Sequence, residues 1–261
     1  MNFLKPKFWD KQQLTIQSII LYPFTYILDL RKLITIFIKP RKYPNIKTIC
    51  IGNIYLGGTG KTPLVDFIAK ILKKKFKTVI IKKGHPSHTD EMKLLKKNNK
   101  VVFEKDREKS LKDAISKKFE LAIFDDGLQD FKLKYDLQIV CFSSLLLAGN
   151  QLRIPSGPLR EKLNNLKKFD AVFINGRNIN RQFLKKIKKI NPYISIFNGE
   201  YVSSNYNKFR KNNYLAFSGI GNANSFKNTL NQYRIKNKLN LIYPDHYTYS
   251  ESEIKKIKDI A

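Results

Sequence analysis

Cysteine is nearly absent. The two residues, Cys50 and Cys141, sit in the apolar runs "KTICIGN" and "LQIVCFSS", too few for a disulfide framework. Both read as buried strand residues. No secretory signal pattern is visible, so a reducing cytoplasmic setting is expected. Long hydrophobic runs are also missing. Residues 14–38, "LTIQSIILYPFTYILDLRKLITIFI", are apolar but interrupted by Pro23, Asp29, Arg31 and Lys32, whereas a spanning helix needs about 18 apolar residues in series. Acidic residues are scarce, 21 against 50 Lys and Arg, for a formal net charge of +29. Such an excess fits an anionic partner: nucleic acid, a membrane surface or a phosphorylated substrate. It fits the drift of an AT-rich genome equally well, because lysine, asparagine and isoleucine abound throughout. The nucleic-acid class lacks its other marks, a docking motif or a basic stripe interleaved with aromatics. No repeat of short period is present.

What is there is an ordinary globular composition. The 261 residues, 42% of them hydrophobic, suffice for one large domain or two small ones with a real core. Residues 14–38 read as two short helices flanking Pro23. Their aliphatic and aromatic residues lie beside Lys32, Lys39, Arg41 and Lys42, as in an interfacial membrane segment, though a helix pair packed on the domain's own core gives the same pattern. From residue 47 short apolar runs alternate with helical stretches. "KTICIGN", "KTVIIKK", "FELAIFDD", "LQIVCFS" and "FDAVFING" read as five strands, and "TPLVDFIAKILKKK" and "LKDAISKK" as helices. The alternation predicts an α/β fold with a parallel sheet covered on both faces. Residues 1–45 would be the N-terminal helices, 46–192 the core, 193–210 a polar connector, and 211–261 a smaller C-terminal α/β domain.

Four stretches are candidates for chemistry. In "GNIYLGGTGKTPLV", residues 52–65, a strand leads through Gly57, Gly58, Thr59 and Gly60 into a helix opened by Lys61 and Thr62. That is the context of a phosphate-binding loop, with inward-facing N–H groups and a helix N-terminus. Lys61 can reach the β- and γ-phosphates of a nucleotide, and the Thr62 hydroxyl can face Mg²⁺. The usual first glycine is absent: Tyr55 stands there, which reshapes the loop's entry without removing the cradle. In "LAIFDDGLQD" an apolar strand ends at Asp125 and Asp126, where carboxylates can hold Mg²⁺ directly or through water. In "GHPSHTDE" Asp90 can serve as a general base, while His85 and His88 read as ligands or as loop residues. His246, in "YPDHYTY", is a lone histidine that spacing alone does not connect to the site.

Taken together, these segments resemble the tetraacyldisaccharide 4'-kinases of lipid A biosynthesis. "GNIYLGGTGKTPLV" is similar to that family's variant loop, which also lacks the first glycine and usually has threonine at the Tyr55 position. "DDGLQD" resembles its DDGLQH signature, "GNQLRIPSGPLREKL" its GNGRLLPAGPLREPL segment, "LAFSGIGNANSF" its AFAGIGNP-F block, "YPDHYTY" its F-DHH-F/Y block, and "TDEMKLL" its GDEPLLL. The matches run in order from about residue 10 to residue 255.

The resemblance implies a phosphate-loop kinase. It would use ATP and Mg²⁺ to phosphorylate the 4'-hydroxyl of a tetraacylated glucosamine disaccharide 1-phosphate, a lipid held at the cytoplasmic face of the bacterial inner membrane. The N-terminal segment would dock on that membrane peripherally, and no nucleic acid would be bound. By motif, Asp90 would accept the hydroxyl proton with His246 as its partner from the smaller domain. Lys61 and Thr62 would serve the triphosphate and metal, and Asp125 and Asp126 the metal and the reacting phosphate. Gln129, Arg160 and Glu161 would complete the charged surround, Glu161 toward the metal. The chain departs from the pattern in three places. The family's SRGYG is "KKGHP" here, with Lys83 for its arginine and His85 for its tyrosine; the last His of the signature is Asp130; and the family's TEKDA-like segment does not follow the His246 block, so the smaller domain is expected to be truncated. Two other readings remain: a kinase of another small metabolite, or a degraded, inactive remnant.

Overall fold

The computed structural model describes residues 5–27, 38–84, 89–202, 205–209, 211–220, 223–244 and 247–261. Seven strands form one sheet: β1 (Lys47–Gly52), β2 (Thr78–Lys83), β3 (Val101–Glu104), β4 (Leu121–Asp125), β5 (Leu137–Ser143), β6 (Ala171–Asn175) and β7 (Ser195–Gly199). Their spatial order is β3-β2-β4-β1-β5-β6-β7, and every pairing is parallel. The five apolar runs are the five central strands. The two edges are additions to the expected set: β7 lies within the stretch expected as a connector, and β3 is only four residues long.

Side-chain alternation splits the interior into two layers. Ile51, Ile80, Ile123 and Cys141 face one side, under the helix Lys61–Leu72 with its Leu64, Val65 and Ala69. Cys50, Val79, Ile81, Phe124, Val140 and Phe142 face the other, under Leu111 and Ala114 of the helix Arg107–Ser116 and Phe183 and Ile187 of the helix Arg181–Ile190. Both cysteines are fully buried strand residues. Each buried Leu, Ile or Phe contributes about 1.5–3 kcal/mol, so a sheet covered on both faces holds its strand ends firmly. From β1 the chain winds toward β2, whereas β5, its neighbour on the other side, leads on to β6. Winding reverses there, and the carboxyl ends of such strands open a ligand crevice.

The N-terminal arm presents its apolar side outward. In the helix Ile16–Leu21 the serine is buried and the isoleucines are exposed: Ser18 is 0% accessible and Ile16 is 78% accessible. Leu14, Ile19, Ile20, Phe24, Tyr26 and Ile27 are likewise exposed. The arm is pinned by its polar side. Trp9 Nε1 donates to the Pro155 carbonyl (3.0 Å), and Ser156 Oγ donates to the Ser18 carbonyl. Pro23 lies inside a 3-10 turn, Tyr22–Tyr26, that continues the helix; residues 28–37 lie outside the described set. Among the described residues no helix is long and apolar enough to cross a membrane.

The chain divides into two compact units, Lys7–Glu200 and one built on Tyr201–Ala261. In the second, β8 (Tyr214–Ser218) and β9 (Asn237–Ile242) pair in parallel, with helices Ala223–Gln232 and Glu251–Ile260. Ser250 and Glu253 form a capping box that starts the last helix.

Candidate active site

The loop after β1 is shaped by its glycines. Gly57, Gly58 and Gly60 have φ of 88°, 28° and 84°, values L side chains rarely adopt. Gly60 is the N-cap of the helix Lys61–Leu72 and supplies no capping side chain, the arrangement that leaves first-turn N–H groups for an anion. Asn53 braces the loop: its amide donates to Thr59 Oγ1 (3.2 Å), and its carbonyl accepts from Gln129 Nε2 (3.1 Å). Tyr55 replaces the usual first glycine by a different construction. Its ring is buried and its hydroxyl bonds Asp10 in the turn Lys7–Asp10; burial pushes its pKa up. The flanking backbone pairs with the segment after cis-Pro155: Leu56 N–H donates to the Pro158 carbonyl (2.8 Å) and Arg160 N–H to that of Ile54 (2.7 Å).

The charged centre follows from register. Asp125 ends β4 and is the lateral partner of Ile51 in β1 and Lys82 in β2. All three side chains therefore lie on the face covered by the Lys61–Leu72 helix. Thr62 Oγ1 donates to Asp125 Oδ2 (3.1 Å), and Lys82 Nζ donates to the same oxygen at 2.5 Å. Lys82 also pairs with Glu91 and lies 3.4 Å from Thr62 Oγ1. Burial works against the Lys82 charge, but Asp125 and Glu91 outweigh it and hold its pKa above the usual lysine value. Asp125 Oδ1 is buried with no hydrogen-bond partner among the described residues.

Asp126, one residue on, sits at φ 64°, a left-handed conformation Asp tolerates better than most. The turn carries its carboxylate away from Asp125 to Arg160, whose Nη1 lies 2.9 and 3.0 Å from the two oxygens, with Lys61 Nζ 4.0 Å away. Burial raises its pKa, but Lys61 and then Arg160 prevail and hold the carboxyl below its ordinary value. Arg160 also donates to Gln129 Oε1 (3.2 Å), and Gln129 Nε2 donates to Glu161 Oε1 (3.1 Å). Glu161, expected toward the metal, gives its other oxygen to Asn165 (2.6 Å). The structure thus joins it to Gln129 and Asn165, not to the Thr62–Asp125 pair.

Three participants escaped the sequence reading. Lys82 and Glu91 are brought together only by strand register and by the start of the helix Thr89–Lys96, although "KKGHP" set against SRGYG already places a lysine at the serine position. Arg107 Nη2 donates to the Asp126 carbonyl (2.6 Å) and its Nη1 meets Asp130 at 3.4 Å. That pair shows what stands at the signature's altered last position. Arg107 lines an open cavity of about 390 Å³ with Lys83, Lys105, Gln129 and Lys132 and with the carboxylates Asp106 and Asp130. Asp90 lies in the first turn of the Thr89–Lys96 helix; its side chain, and His85, His88 and His246, lie outside the described set.

Comparison with known proteins matches this arrangement. A family model described as tetraacyldisaccharide-1-P 4'-kinase matches residues 17–261. A tetraacyldisaccharide 4'-kinase of Pelagibacter ubique is 49% identical, covering 98% of this chain and 82% of that protein. One from Rickettsia canadensis is 34% identical over 100% of this chain and 84% of its own length. Among solved structures, LpxK from Aquifex aeolicus in complex with ATP superposes with a TM-score of 0.66 at 26% identity, covering 91% of this chain and 87% of that one. The glycine loop opened by Tyr55, the paired aspartates ending β4 and a match across nearly the whole length agree: this chain belongs to the tetraacyldisaccharide-1-phosphate 4'-kinase family.

Proposed function

We propose that this protein transfers the γ-phosphate of ATP to the 4'-hydroxyl of a tetraacylated glucosamine disaccharide 1-phosphate. The observation that carries the reading is the Gly57–Thr62 loop with Asp125 and Asp126 at adjacent strand ends, in a chain that matches this kinase family along nearly its full length. Phosphoryl transfer needs positioning and charge stabilisation above all. Lys61 supplies positive charge to the β- and γ-phosphates. Backbone N–H groups of Gly58, Thr59 and Gly60 receive the phosphate oxygens. Arg160 and Gln129 hold Asp126 at the edge of the transferring group. Asp90 takes the proton of the attacking hydroxyl, and His246 orients Asp90 or shares that proton.

Mg²⁺ fits the residues present. Asp125 offers a buried carboxylate oxygen without a partner among the described residues, and the Thr62 hydroxyl lies against its other oxygen, a hard-oxygen donor set. Thr62, Asp125 and Asp126 would hold the ion, with Glu161 acting only through Gln129. When bound, Mg²⁺ draws charge from the phosphate oxygens. The outward isoleucines of the Ile16–Leu21 helix support peripheral docking on the cytoplasmic face of the inner membrane, where the lipid lies. The test is an ATP phosphate-transfer assay on a 1-phosphorylated tetraacyl disaccharide in detergent. A 4'-phosphorylated product is expected. Transfer to soluble sugars but not to the lipid would sink the assignment.

A further inference from the structure

We propose that the Lys82 ammonium is a resident cation of the phosphate site, holding the Thr62–Asp125 position until a divalent cation displaces it. The inference rests on the reading of Thr62 and Asp125 as the metal pair, and adds a residue to which neither motif nor family description gives a part.

The placement is dictated by the sheet. Lys82 and Asp125 are lateral partners in neighbouring parallel strands. Ile80 and Ile123, two residues earlier in each strand, belong to the layer beneath the Lys61–Leu72 helix, so Lys82 and Asp125 point into the same covered space. Lys82 is 5% accessible and Asp125 0%. An ammonium has three donor positions, and here each meets an oxygen: Asp125 Oδ2 at 2.5 Å, a Glu91 carboxylate oxygen, and Thr62 Oγ1 at 3.4 Å. Two carboxylates and a hydroxyl are the donor types a small hard cation takes. Lysine is well suited to stand in for one, being a compact point charge on a flexible stem.

The charges explain why the two cations exclude one another. Asp125 is fully buried and the Glu91 side chain 26% exposed; of the two negative charges Lys82 balances one. A divalent ion on Asp125 with Lys82 still 2.5 Å from its Oδ2 would place two cations against one carboxylate in a medium of low dielectric. The lysine stem lets the ammonium withdraw while Glu91 remains a partner. Asp125 Oδ1, with no partner among the described residues, is the oxygen left open for the incoming ion. Bare Mg²⁺ must therefore compete with a tethered cation, whereas Mg²⁺ arriving on ATP brings phosphate oxygens as added ligands. The metal enters with the nucleotide and not before it, and the empty site does not hold an uncompensated Asp125.

Thermal unfolding of the full chain against MgCl₂, without nucleotide, tests this. The variants are Lys82→Ser, which supplies the residue of the SRGYG pattern, and Lys82→Met, which keeps the stem. Wild type should unfold at nearly the same temperature in EDTA and in Mg²⁺. Both variants should unfold earlier in EDTA and recover with Mg²⁺, at half-effect concentrations about tenfold or more below any wild-type response, because a buried carboxylate has lost its partner. Adding Asp125→Asn to Lys82→Ser should abolish the recovery. Superimposable Mg²⁺ responses of wild type and variants would overturn the proposal. So would recovery that survives Asp125→Asn, or variants that fail to fold even in Mg²⁺. Equilibrium dialysis of wild type with Mg-ATP separates the two readings: no ATP binding would remove the nucleotide site while leaving the Mg²⁺ comparison intact.

Discussion

Lys61 is the side chain on which the proposed chemistry makes its largest single demand. It opens the helix behind Gly60 and lies 4.0 Å from Asp126. Lys61→Ala should lower phosphoryl transfer by about a hundredfold or more, because the reaction is carried mostly by electrostatic positioning; steady-state rates at saturating ATP check this. A second residue-scale prediction concerns acid stability. Tyr43 Oη donates to Glu108 Oε1 (2.6 Å), with Lys112 and Arg41 at 3.3 and 3.1 Å. The Tyr43 hydrogen bond, opposed by desolvation and helped by Lys112, brings the Glu108 carboxyl down to about 2. A carboxyl whose folded pKa is depressed stabilises the protein above its unfolded value, about 4.3, and that stability disappears as pH falls toward 2. Tyr43→Phe should flatten this acid limb and leave neutral activity unchanged, as seen by denaturant unfolding from pH 2 to 6. The motif residues were legible at this scale because glycines and paired aspartates announce themselves locally. Lys82 and Glu91 were not, because their partnership is fixed by which strands are neighbours, and linear sequence does not state that.

The elements show the same limit. The five central strands announced themselves because burial on both faces makes them continuously apolar. The edges β3 and β7 did not: "VVFE" is short and half-buried, and "SIFNG" carries a serine, an asparagine and a glycine. Edge strands are kept short and polar because an apolar edge invites pairing with another chain. The N-terminal helix was ambiguous for a related reason. Periodicity reports that a helix has an apolar side, and only the structure reveals which side is covered. With Ser18 inward and Ile16, Ile19 and Ile20 outward, changing these three isoleucines to serine should weaken binding to anionic vesicles about a hundredfold. ATP affinity should hold. Sedimentation with vesicles decides, and unchanged co-sedimentation would refute the docking role.

At the scale of the molecule, Asp90 belongs to the unit Lys7–Glu200 and the block holding His246 to the unit Tyr201–Ala261. The proposed partnership makes a kinetic prediction that needs no geometry. Asp90→Ala and His246→Ala should each slow transfer by about a hundredfold or more while ATP binding persists. The double variant should be little worse than the poorer single one, since parts of one catalytic unit are strongly non-additive. Additive losses would leave His246 as a structural residue of its own unit.

Tyr55 joins the loop's entry to the N-terminal arm through its side chain. Its backbone forms the loop's entry, and its hydroxyl holds Asp10, at the root of the outward-facing arm. Thermodynamic reciprocity then applies: by whatever factor lipid on the arm alters nucleotide affinity, nucleotide must alter the arm's affinity for lipid. Were the arm seated on a bilayer, as proposed above, the Tyr55–Asp10 bond would be the link through which that seating reaches the nucleotide loop. Tyr55→Phe, which keeps the buried ring and removes the hydroxyl, should leave both affinities measurable and uncouple them.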